Sequence, residues 1–506
     1  MLERLKYTIK ATIIYSLGGI SIKLIGLILL PIYTGYLTTE QYGMWAILEV
    51  TSQILVIMVG LRLSTSMIRF YSSENDIEKR KKIVFTAFLA SLLSILIFNL
   101  FAHPFVGSFS ELFFDTNEFE QYFTFLILWS SFEILNRLVL DLIRIKEKPG
   151  FFIMVSIIKF TFVLFLNIYF IVVLDMGIEG IILGQLIGSV LLMLITMPFL
   201  FREMSLAIDF GILKELFQYG LPLVFSGISV FVLALGDRYL VKLFLGYHEV
   251  GIYSLSYKIS SVVKLVLIQA FQLGFLPIAF NIYSKPNAKR FFSKIYTYYA
   301  FVIFWFGLAV SAFAKEFIII FSSSEDFYDA YLFVPWITLS ICFFGLQYFY
   351  VIGMHYAKKT KIIAVITLIA ASLNVVLNLF LIPRIGLYGA VISAIITSLV
   401  MIILGYQQSQ KYYHISYEIK KVMIILGLSI MIYLLTLVLN PLTPVVRTVL
   451  KFTLILSYPF LLYLFGFYDP IEIKRIKSIW KKWYNPTQWP ENIRNLRIKD
   501  LEDDAF

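Results

Sequence analysis

Eight basic residues interrupt stretches of sequence that are otherwise apolar enough to lie inside a membrane. A charge at the centre of a bilayer costs about 2.5–3.5 kcal/mol on insertion scales, so such a residue is expected to face a cavity or a charged partner. Ammonium and guanidinium groups bind phosphate and other anions. The residues that could do this chemistry are Lys23, Arg62, Arg137, Lys159, Arg238, Lys258, Lys264 and Lys451.

Two lysines are the leading candidates for an anion-binding site. Lys23 lies in the middle of the first apolar segment, too deep for its ammonium to reach the surface easily. Lys258 lies on a polar helical face of the eighth segment. That face consists of Ser254, Lys258, Ser261, Leu265, Gln269 and Gln272. Each lysine could instead pair with a buried carboxylate, and this alternative stays open.

Three further basic residues are weaker candidates for the same site. Lys264 lies on another face of the eighth segment. Arg62 lies near the end of its segment, where snorkelling is an alternative to substrate binding. Arg238 follows Asp237 directly, so the two side chains point in different directions and are expected mainly to anchor helices together.

Alternating charges in the fourth segment are spaced 4, 4 and 3 residues apart. They are Glu133, Arg137, Asp141 and Arg144. This spacing places them on one helical face, where pairs within the helix could neutralise them. A self-neutralised ladder is therefore the leading interpretation. The alternative is a gate or a contact to a substrate headgroup.

Acidic residues within the apolar segments could gate transport or couple it to an ion. Glu49, Glu133 and Asp237 are the candidates for binding a proton or sodium, although no motif demonstrates it. No cofactor is expected. The single cysteine, Cys342, and four widely separated histidines provide no metal-ligand spacing.

The connections between segments are too short to fold as domains. The longest outer connection, 103–120, contains no lysine or arginine, and no outer connection assembles an acid–base or metal constellation. The acidic residues Glu325, Asp326 and Asp329 are interpreted as solvated charges. An enzyme is therefore not expected, and any function must reside in the helices or on their short loops.

The composition is typical of a membrane protein. Hydrophobic residues make up 59% of the chain and charged residues 15%, with a mean hydropathy of +0.84. About 20 mainly apolar residues span a bilayer. About fourteen segments satisfy this rule: 11–36, 42–62, 83–102, 121–143, 151–173, 177–200, 217–245, 250–275, 296–321, 327–353, 360–383, 386–407, 421–440 and 445–466.

The distribution of basic residues sets the orientation. With a cytoplasmic N-terminus, the outer connections hold only Lys242, Lys315, Arg384 and Arg447, whereas the inner connections are rich in lysine and arginine. This asymmetry predicts that both termini are cytoplasmic. The net charge of +11 therefore reflects topology and not nucleic-acid binding.

An internal repeat is indicated by short matches at an offset of 208–209 residues. The matching stretches are 19–21 with 227–229, 42–45 with 250–253, and 177–180 with 386–389. Each copy contains six segments, so both copies have the same orientation in the membrane. The sequence thus predicts an all-α polytopic protein with two parallel six-helix lobes around a central cavity. The predicted parts are lobes 1–205 and 206–412, two further helices in 413–466, and a tail, 467–506.

The repeat also suggests a charge pair between the lobes. Glu49 aligns with Lys258 within one residue, which places the two at similar depth in opposite lobes. Our hypothesis is that they approach when the outer side closes and separate when it opens. The tail carries a different signal, because Ile473, Ile476, Trp480 and Trp483 fall on one helical face with lysines mostly off it. An amphipathic helix on the inner leaflet is predicted, and a merely solvated basic tail is the alternative.

Several short motifs resemble those of the polysaccharide transporter (oligosaccharide flippase) family. Asp237-Arg238-Tyr239-Leu240, Leu245-Gly246 and Val250-Gly251-Ile252-Tyr253-Ser254 are similar to its signature in helices 7 and 8. Leu29-Leu30-Pro31, Tyr42-Gly43 and the Gly-x-x-Gly openings at Gly177 and Gly386 are similar too. The resemblance covers essentially the whole chain. It places the chain in the multidrug/oligosaccharidyl-lipid/polysaccharide superfamily.

The resemblance implies a function in the bacterial cytoplasmic membrane. The expected activity is translocation of an undecaprenyl-diphosphate oligosaccharide from the inner to the outer leaflet by alternating access, for O-antigen, capsule or exopolysaccharide assembly. Membrane lipids and polysaccharide polymerase machinery are the other expected partners. A monomer is expected because the two repeats already form both lobes. The alternative is a cation-coupled multidrug exporter of the same superfamily, which two extra helices and a lysine-rich interior disfavour.

Overall fold

The structure, a computed structural model, describes residues 26–474 except 284 and 358. The described chain is helical and contains no strand. Its α-helices are α1 (Gly26–Tyr36, with a turn at Leu29), α2 (Thr39–Val59), α3 (Leu63–Ser73), α4 (Ile77–Ala102), α5 (Val106–Phe114), α6 (Glu120–Ile145), α7 (Pro149–Ile168), α8 (Gly177–Arg202), α9 (Phe210–Leu235), α10 (Asp237–Leu245), α11 (Tyr247–Val263), α12 (Ala270–Ile282), α13 (Ala288–Ala312), α14 (Ala314–Phe321), α15 (Val334–Tyr356), α16 (Thr360–Ile385), α17 (Leu387–Tyr412), α18 (Ile419–Val438) and α19 (Pro444–Leu464). Short 3₁₀ segments (His103–Phe105 and Glu325–Leu332) and π-helical segments (Tyr169–Val173 and Lys264–Gln269) connect some of them.

The helices confirm the predicted all-α membrane fold. Thirteen helices of the described chain are long and apolar enough to cross a membrane. The first predicted segment, 11–36, is described only from residue 26 onward, where it forms the apolar helix α1. Two predicted segments are broken into successive helices, 217–245 at Gly236 and 296–321 at Phe313.

Local sequence explains where several helices begin. The Thr38 side chain accepts a hydrogen bond from the backbone N–H of Gln41, and the Gln41 side chain accepts one from the N–H of Thr38. This reciprocal pair satisfies donors that have no partner within α2. Asp76 and Asp209 cap α4 and α9 in the simpler way, each accepting a hydrogen bond from a backbone N–H of the first turn.

Helices α2 and α11 meet at two glycines near the end of the bundle that is predicted to lie outside the cell (the outer end). A Cβ atom added at Gly43 would overlap the carbonyl oxygen of Tyr247, and one added at Gly251 would overlap that of Thr39. The two backbones therefore touch directly, an approach that only glycine permits. Residue 247 follows residue 39 by the offset of the sequence repeat, and residue 251 follows residue 43 by the same offset.

A second contact closes the outer end beside this glycine seam. The backbone N–H of Ser323 donates to the hydroxyl of Thr34 at 3.0 Å, and the Ser323 hydroxyl donates to the carbonyl of Pro31 at 2.9 Å. The rings of Tyr42 and Phe327 meet edge to face, with centroids 5.6 Å apart. The outer end is thus closed by contacts between residues of the two predicted lobes.

The two helices beyond the predicted repeat, α18 and α19, pack against α13. The Trp305 indole donates to the carbonyl of Ile455 at 2.8 Å. The Glu316 carboxylate accepts hydrogen bonds from Arg447 at 2.9 Å and from Lys451 at 3.1 Å. Lys451 was one of the intramembrane cations indicated by the sequence, and in the structure it forms an ion pair away from any central site.

An ionic cluster fastens the start of the tail at the opposite, inner end. The Lys294 ammonium lies 2.8 Å from Glu418 and 2.5 Å from Asp469, and Lys421 lies 2.8 Å from Asp469. Hydrogen bonds from the two lysines hold the pKa of Asp469 below its ordinary value. The predicted tail helix through Trp483 lies mostly outside the described residues.

This cluster predicts a pH-dependent stability difference. Because the pKa of Asp469 is lowered on folding, its contribution is fully present above its unfolded pKa of about 3.9 and is lost as pH falls through the folded pKa. We expect Asp469→Asn to lower the melting temperature of the purified protein at pH 7, by a modest amount because the Asp469 side chain is 40% exposed. The difference from wild type should shrink below about pH 4, and a difference that grows on acidification would contradict the assignment.

Candidate functional site

A central cavity of about 610 Å³ lies between residues of the two predicted lobes. Helices α1, α2, α6, α7 and α8 line one side, and α9 and α11 with the following π-helical segment line the other. Four basic and two acidic side chains line it: Arg62, Lys159, Lys258, Lys264, Glu49 and Glu133. Five of these six are residues that the sequence singled out as site candidates. The cavity therefore has an excess of positive charge.

Lys258 reaches the cavity from α11 across a glycine of α1. Its Cε lies 2.7 Å and its Nζ 3.1 Å from where a Cβ on Gly26 would stand. No carboxylate within the described chain lies within 4.0 Å of its ammonium, although Glu49 interacts with it at longer range. The described residues therefore do not form the buried ion pair that was the alternative interpretation of Lys258. The Lys258 charge is available to a ligand.

Glu49 and Lys258 lie in the same cavity but do not form the predicted ion pair. Both residues line the central cavity and a smaller adjoining cavity that also contains Arg238. The outer end is closed in this structure, which is the state in which our hypothesis places the two charges together. Within the described residues, Glu49 lies more than 4.0 Å from every basic nitrogen. Direct pairing in this state is thus absent, and the role of Glu49 stays a prediction.

Lys264 lies where α11 changes into a π-helical segment. The π-helical turn Lys264–Gln269 inserts an extra residue into the helical register, a feature that is frequent at functional sites. Lys264, at the start of this turn, lines the central cavity together with Lys258, although the two lie on different faces by helical periodicity. Its Nζ lies 5.8 Å from the ring centroid of Phe344, towards a second cavity inside the C-terminal lobe.

Arg62 occupies a break between α2 and α3. Leu61 and Arg62 both have left-handed backbone conformations, with φ of 47° and 55°, which are costly for residues other than glycine. The guanidinium lies against Gly227 of α9, with Nε 2.9 Å and Cζ 3.0 Å from where a Cβ would stand. Arg62 is therefore directed into the cavity by the backbone, and the snorkelling alternative does not apply.

The predicted pairing of Glu133 with Arg137 within α6 is wrong. Glu133 does not pair with Arg137 of its own helix but with Lys159 of α7, and it also accepts a hydrogen bond from Ser189 of α8 at 2.6 Å. This contact between helices forms because α7 brings the partly buried ammonium of Lys159 to the carboxylate. Arg137 is exposed and shares a small cavity with Arg62.

The predicted pairing of Asp141 with Arg144 within α6 is confirmed. Arg144 pairs with Asp141 at 3.1 Å, one helical turn away. Asp141 also accepts a hydrogen bond from Ser64 of α3, so this pair ties two helices together as well. The charges at this end of α6 are thus structural, whereas Glu133 lies on the cavity wall.

Asp237 and Arg238 point in different directions, as predicted. The Asp237 carboxylate accepts hydrogen bonds from the Tyr253 hydroxyl at 2.8 Å and the Asn378 amide at 2.9 Å. Arg238 donates to the Ser254 hydroxyl at 3.0 Å and lies 4.7 Å above the ring of Tyr257. Both side chains therefore anchor α10 to its neighbours.

The Asp237 cluster is rich in side-chain oxygens. Asn378 donates a second hydrogen bond to the side-chain oxygen of Asn374 at 3.1 Å, and the buried side-chain oxygen of Asn378 has no partner among the described residues. Thr397, whose hydroxyl is also buried without a partner, lines the adjoining cavity together with Asp237 and Asn374. The described chain contains no group of three histidine, cysteine or acidic residues that could hold a metal ion. Any cation here would rest mainly on neutral oxygens.

The structure also identifies site residues that the sequence did not select. Lys159 belongs to the eight intramembrane cations but was not among the candidates selected for the site. Trp45 and Trp129 line the cavity as a stacked pair, with centroids 5.9 Å apart and an interplanar angle of 21°. No sequence signal separates these tryptophans from interfacial aromatic residues. Lys23 lies outside the described residues.

Comparison with known proteins gives both a family and a fold. The profile of the polysaccharide biosynthesis protein family matches residues 8–283, more than half of the chain. No curated protein matches the sequence. The solved structure of the lipid II flippase MurJ in an inward closed conformation is similar, with 16% identity, a TM-score of 0.68, and coverage of 89% of this chain and 99% of that one.

Multidrug transporters share the fold over a smaller part of the chain. An inward-facing MATE family transporter of the MOP superfamily has 17% identity and a TM-score of 0.62, with coverage of 78% of this chain and 94% of that one. A point mutant of the Vibrio cholerae MATE transporter VcmN has 14% identity and a TM-score of 0.60, with coverage of 80% and 97%. At these identities the likeness shows the fold. The family match shows that the chain is a member of the polysaccharide biosynthesis protein family.

Proposed function

We propose that this protein is a flippase that moves an undecaprenyl-diphosphate-linked oligosaccharide from the inner to the outer leaflet of the bacterial cytoplasmic membrane. The observation that carries the proposal is the cationic cavity between the two lobes, in which Lys258 and Arg62 have no carboxylate partner among the described residues. A diphosphate offers several negatively charged oxygens to such groups. Its binding would supply the missing counter-charge inside the bilayer.

The position of the cavity between the two lobes suits alternating access. Parallel repeats place the substrate near the middle of the membrane, where rocking of one lobe against the other exposes it to each side in turn. In this state the two lobes contact each other at the outer end. The diphosphate would bind the cations while the lipid chain stays in the bilayer. The product would serve O-antigen, capsule or exopolysaccharide assembly, with polymerase machinery as a downstream partner and a monomer as the working unit.

The stacked tryptophans and the nearby amides offer a surface for the sugars. Trp45, Trp129, Gln53 and Gln185 all belong to the N-terminal lobe and line the cavity. Aromatic faces pack against the apolar faces of sugar rings, and amides bind hydroxyl groups. The glycan would therefore contact these side chains while the phosphates bind the cations.

The Asp237 cluster is our proposed site for energy coupling by a proton or sodium. Asp237→Asn keeps the size and a hydrogen-bonding oxygen but removes the charge that a cation needs. We expect the variant to lose the stimulation of transport by an imposed proton or sodium gradient while it still binds substrate. The exposed Asp326→Asn variant is the matched control. A variant at Asp237 with undiminished gradient dependence would exclude this residue from coupling.

A second candidate function is cation-coupled multidrug export. The two acidic residues on the cavity wall, Glu49 and Glu133, favour it because cationic drugs bind carboxylates. Arg62, Lys159, Lys258 and Lys264 line the same cavity and oppose it. A deletion strain that becomes drug-sensitive but keeps its surface polysaccharide would support export.

Reconstitution tests the flippase proposal directly. Purified protein is placed in liposomes that contain an undecaprenyl-diphosphate oligosaccharide, and the fraction of glycan that becomes accessible across the bilayer is measured over time. Wild type is expected to accelerate exposure, and Lys258→Ala to slow it, while the exposed Lys79→Ala is expected to match wild type. Absence of wild-type activity with several related glycans, under both ion gradients, would overturn the proposal.

A further inference from the structure

Two of the four cavity cations have neither a carboxylate nor an aromatic partner within the described chain, and these two lie against glycines. Lys159 is held by Glu133, and Lys264 lies over the ring of Phe344. Lys258 and Arg62 have neither kind of partner within the described chain. Instead, Lys258 crosses Gly26 and Arg62 crosses Gly227. Their placement therefore depends on shape and not on charge pairing.

Each of these contacts joins opposite lobes. Gly26 belongs to α1 of the N-terminal lobe and faces Lys258 of the C-terminal lobe, whereas Gly227 belongs to α9 of the C-terminal lobe and faces Arg62 of the N-terminal lobe. A missing Cβ leaves a notch in a helix surface that a passing side chain can occupy. Both cations thus rest in a notch of the lobe that does not carry them.

We propose that Gly26 and Gly227 are positioning residues, which seat the Lys258 ammonium and the Arg62 guanidinium where they contact the anionic headgroup. The identity of the headgroup in this inference rests on the proposed flippase function. The contacts of the two cations with the glycines do not depend on that function. Because each notch is in the opposite lobe, a rocking movement that separates the lobes would also unseat both cations. Headgroup contact and lobe movement would then be linked without an ion pair between the lobes.

Alanine at either position is a specific probe. At Gly26 the new Cβ would meet the flexible end of the Lys258 side chain, and at Gly227 it would meet the guanidinium of Arg62. The terminal atoms of a long side chain can move at little cost, so the fold should survive while the cation shifts. Gly427 of α18 is the matched control, because a Cβ there has no neighbour within 4 Å.

The first readout is independent of transport. Purified variants are treated briefly with an amine-reactive reagent, and mass spectrometry measures labelling of Lys258 relative to Lys264, which lines the same cavity without touching Gly26. We expect Gly26→Ala to change this ratio several-fold and Gly427→Ala to leave it unchanged. An unchanged ratio in folded Gly26→Ala, or an equal change in the control, would overturn the inference.

The second readout uses transport and a rescue. We expect Gly227→Ala to raise the half-saturating amount of lipid-linked substrate by about tenfold, which corresponds to 1.4 kcal/mol of binding. Adding Arg62→Lys removes the terminal nitrogen nearest to the new Cβ while it keeps a positive charge, and should restore part of the loss. A double variant no better than Gly227→Ala would overturn the assignment of Gly227. If wild type moves no lipid-linked glycan, the proposed function fails, whereas the labelling ratio still decides the seating.

Discussion

Replacing Lys258 and Arg62 together by glutamine should reduce transport of a diphosphate-linked glycan by about a hundredfold or more. Hydrogen bonds to charged groups contribute about 1.5–3 kcal/mol each, and 1.4 kcal/mol is a factor of ten. Both cations line the cavity without a carboxylate partner in the described chain, so neither loss is offset by a released acid. Glutamine removes the charge, keeps N–H donors on a shorter side chain and adds no bulk to the cavity wall. The measurement is the initial rate of glycan exposure in proteoliposomes.

The control for this experiment removes equal charge elsewhere. Lys79 and Lys82 lie near the inner end of α4, away from the cavity, and their replacement by glutamine should leave the rate near the wild-type value. Comparable loss in both double variants would indicate a general effect of net charge or insertion. Full activity of the Lys258 and Arg62 variant would show that the headgroup binds elsewhere.

Replacing Gly43 or Gly251 by alanine should prevent the outer end from closing. Alanine at Gly43 or Gly251 would push a Cβ into a backbone carbonyl, which cannot move aside as a flexible side chain can. Overpacking costs about 1–3 kcal/mol. A difference of this size shifts the ratio of closed to open molecules by about 5–150-fold. We expect these variants to favour the open outer end and to transport slowly.

Thiol accessibility measures this shift. A cysteine replaces the cavity residue Gln53 in a Cys342→Ser background, and a membrane-impermeant thiol reagent is added from the outer side. Labelling should rise in Gly43→Ala and in Gly251→Ala but not in Gly427→Ala, whose Cβ meets nothing. Equal labelling in all variants would show that the glycine contact does not hold the outer end closed.

Much of the fold follows from the sequence because hydrophobicity and charge act over whole segments. A helix of about 20 apolar residues is required to cross a bilayer, so its existence can be predicted from composition alone. The cost of burying charge directed attention to Lys258, Lys264, Arg62, Glu49 and Glu133, which line the central cavity. It directed attention equally to Arg137, Arg238 and Asp237, which do not line it. These predictions needed no knowledge of which helices are neighbours.

The remaining features depend on contacts between distant helices. The pairing of Glu133 with Lys159 could not be predicted, because spacing within α6 offered Arg137 as an equally good partner. The π-helical turn that begins at Lys264 shifts the register of the residues after it, which regular periodicity does not predict. The notches at Gly26 and Gly227 are visible only once the facing side chains are located, since glycine in a membrane helix is common for other reasons.

The glycine seam at the outer end has the geometry of a dimer interface within a single polypeptide. Gly43 faces the carbonyl of residue 247 and Gly251 faces that of residue 39, so each contact repeats the other with the two halves exchanged. An isologous interface pairs residues in this reciprocal way about a two-fold axis. Two copies of one six-helix half could therefore have closed against each other with the same surface. In the joined chain the halves keep this reciprocal contact at the two glycines, although they differ in charge elsewhere, as at Glu49 and Lys258.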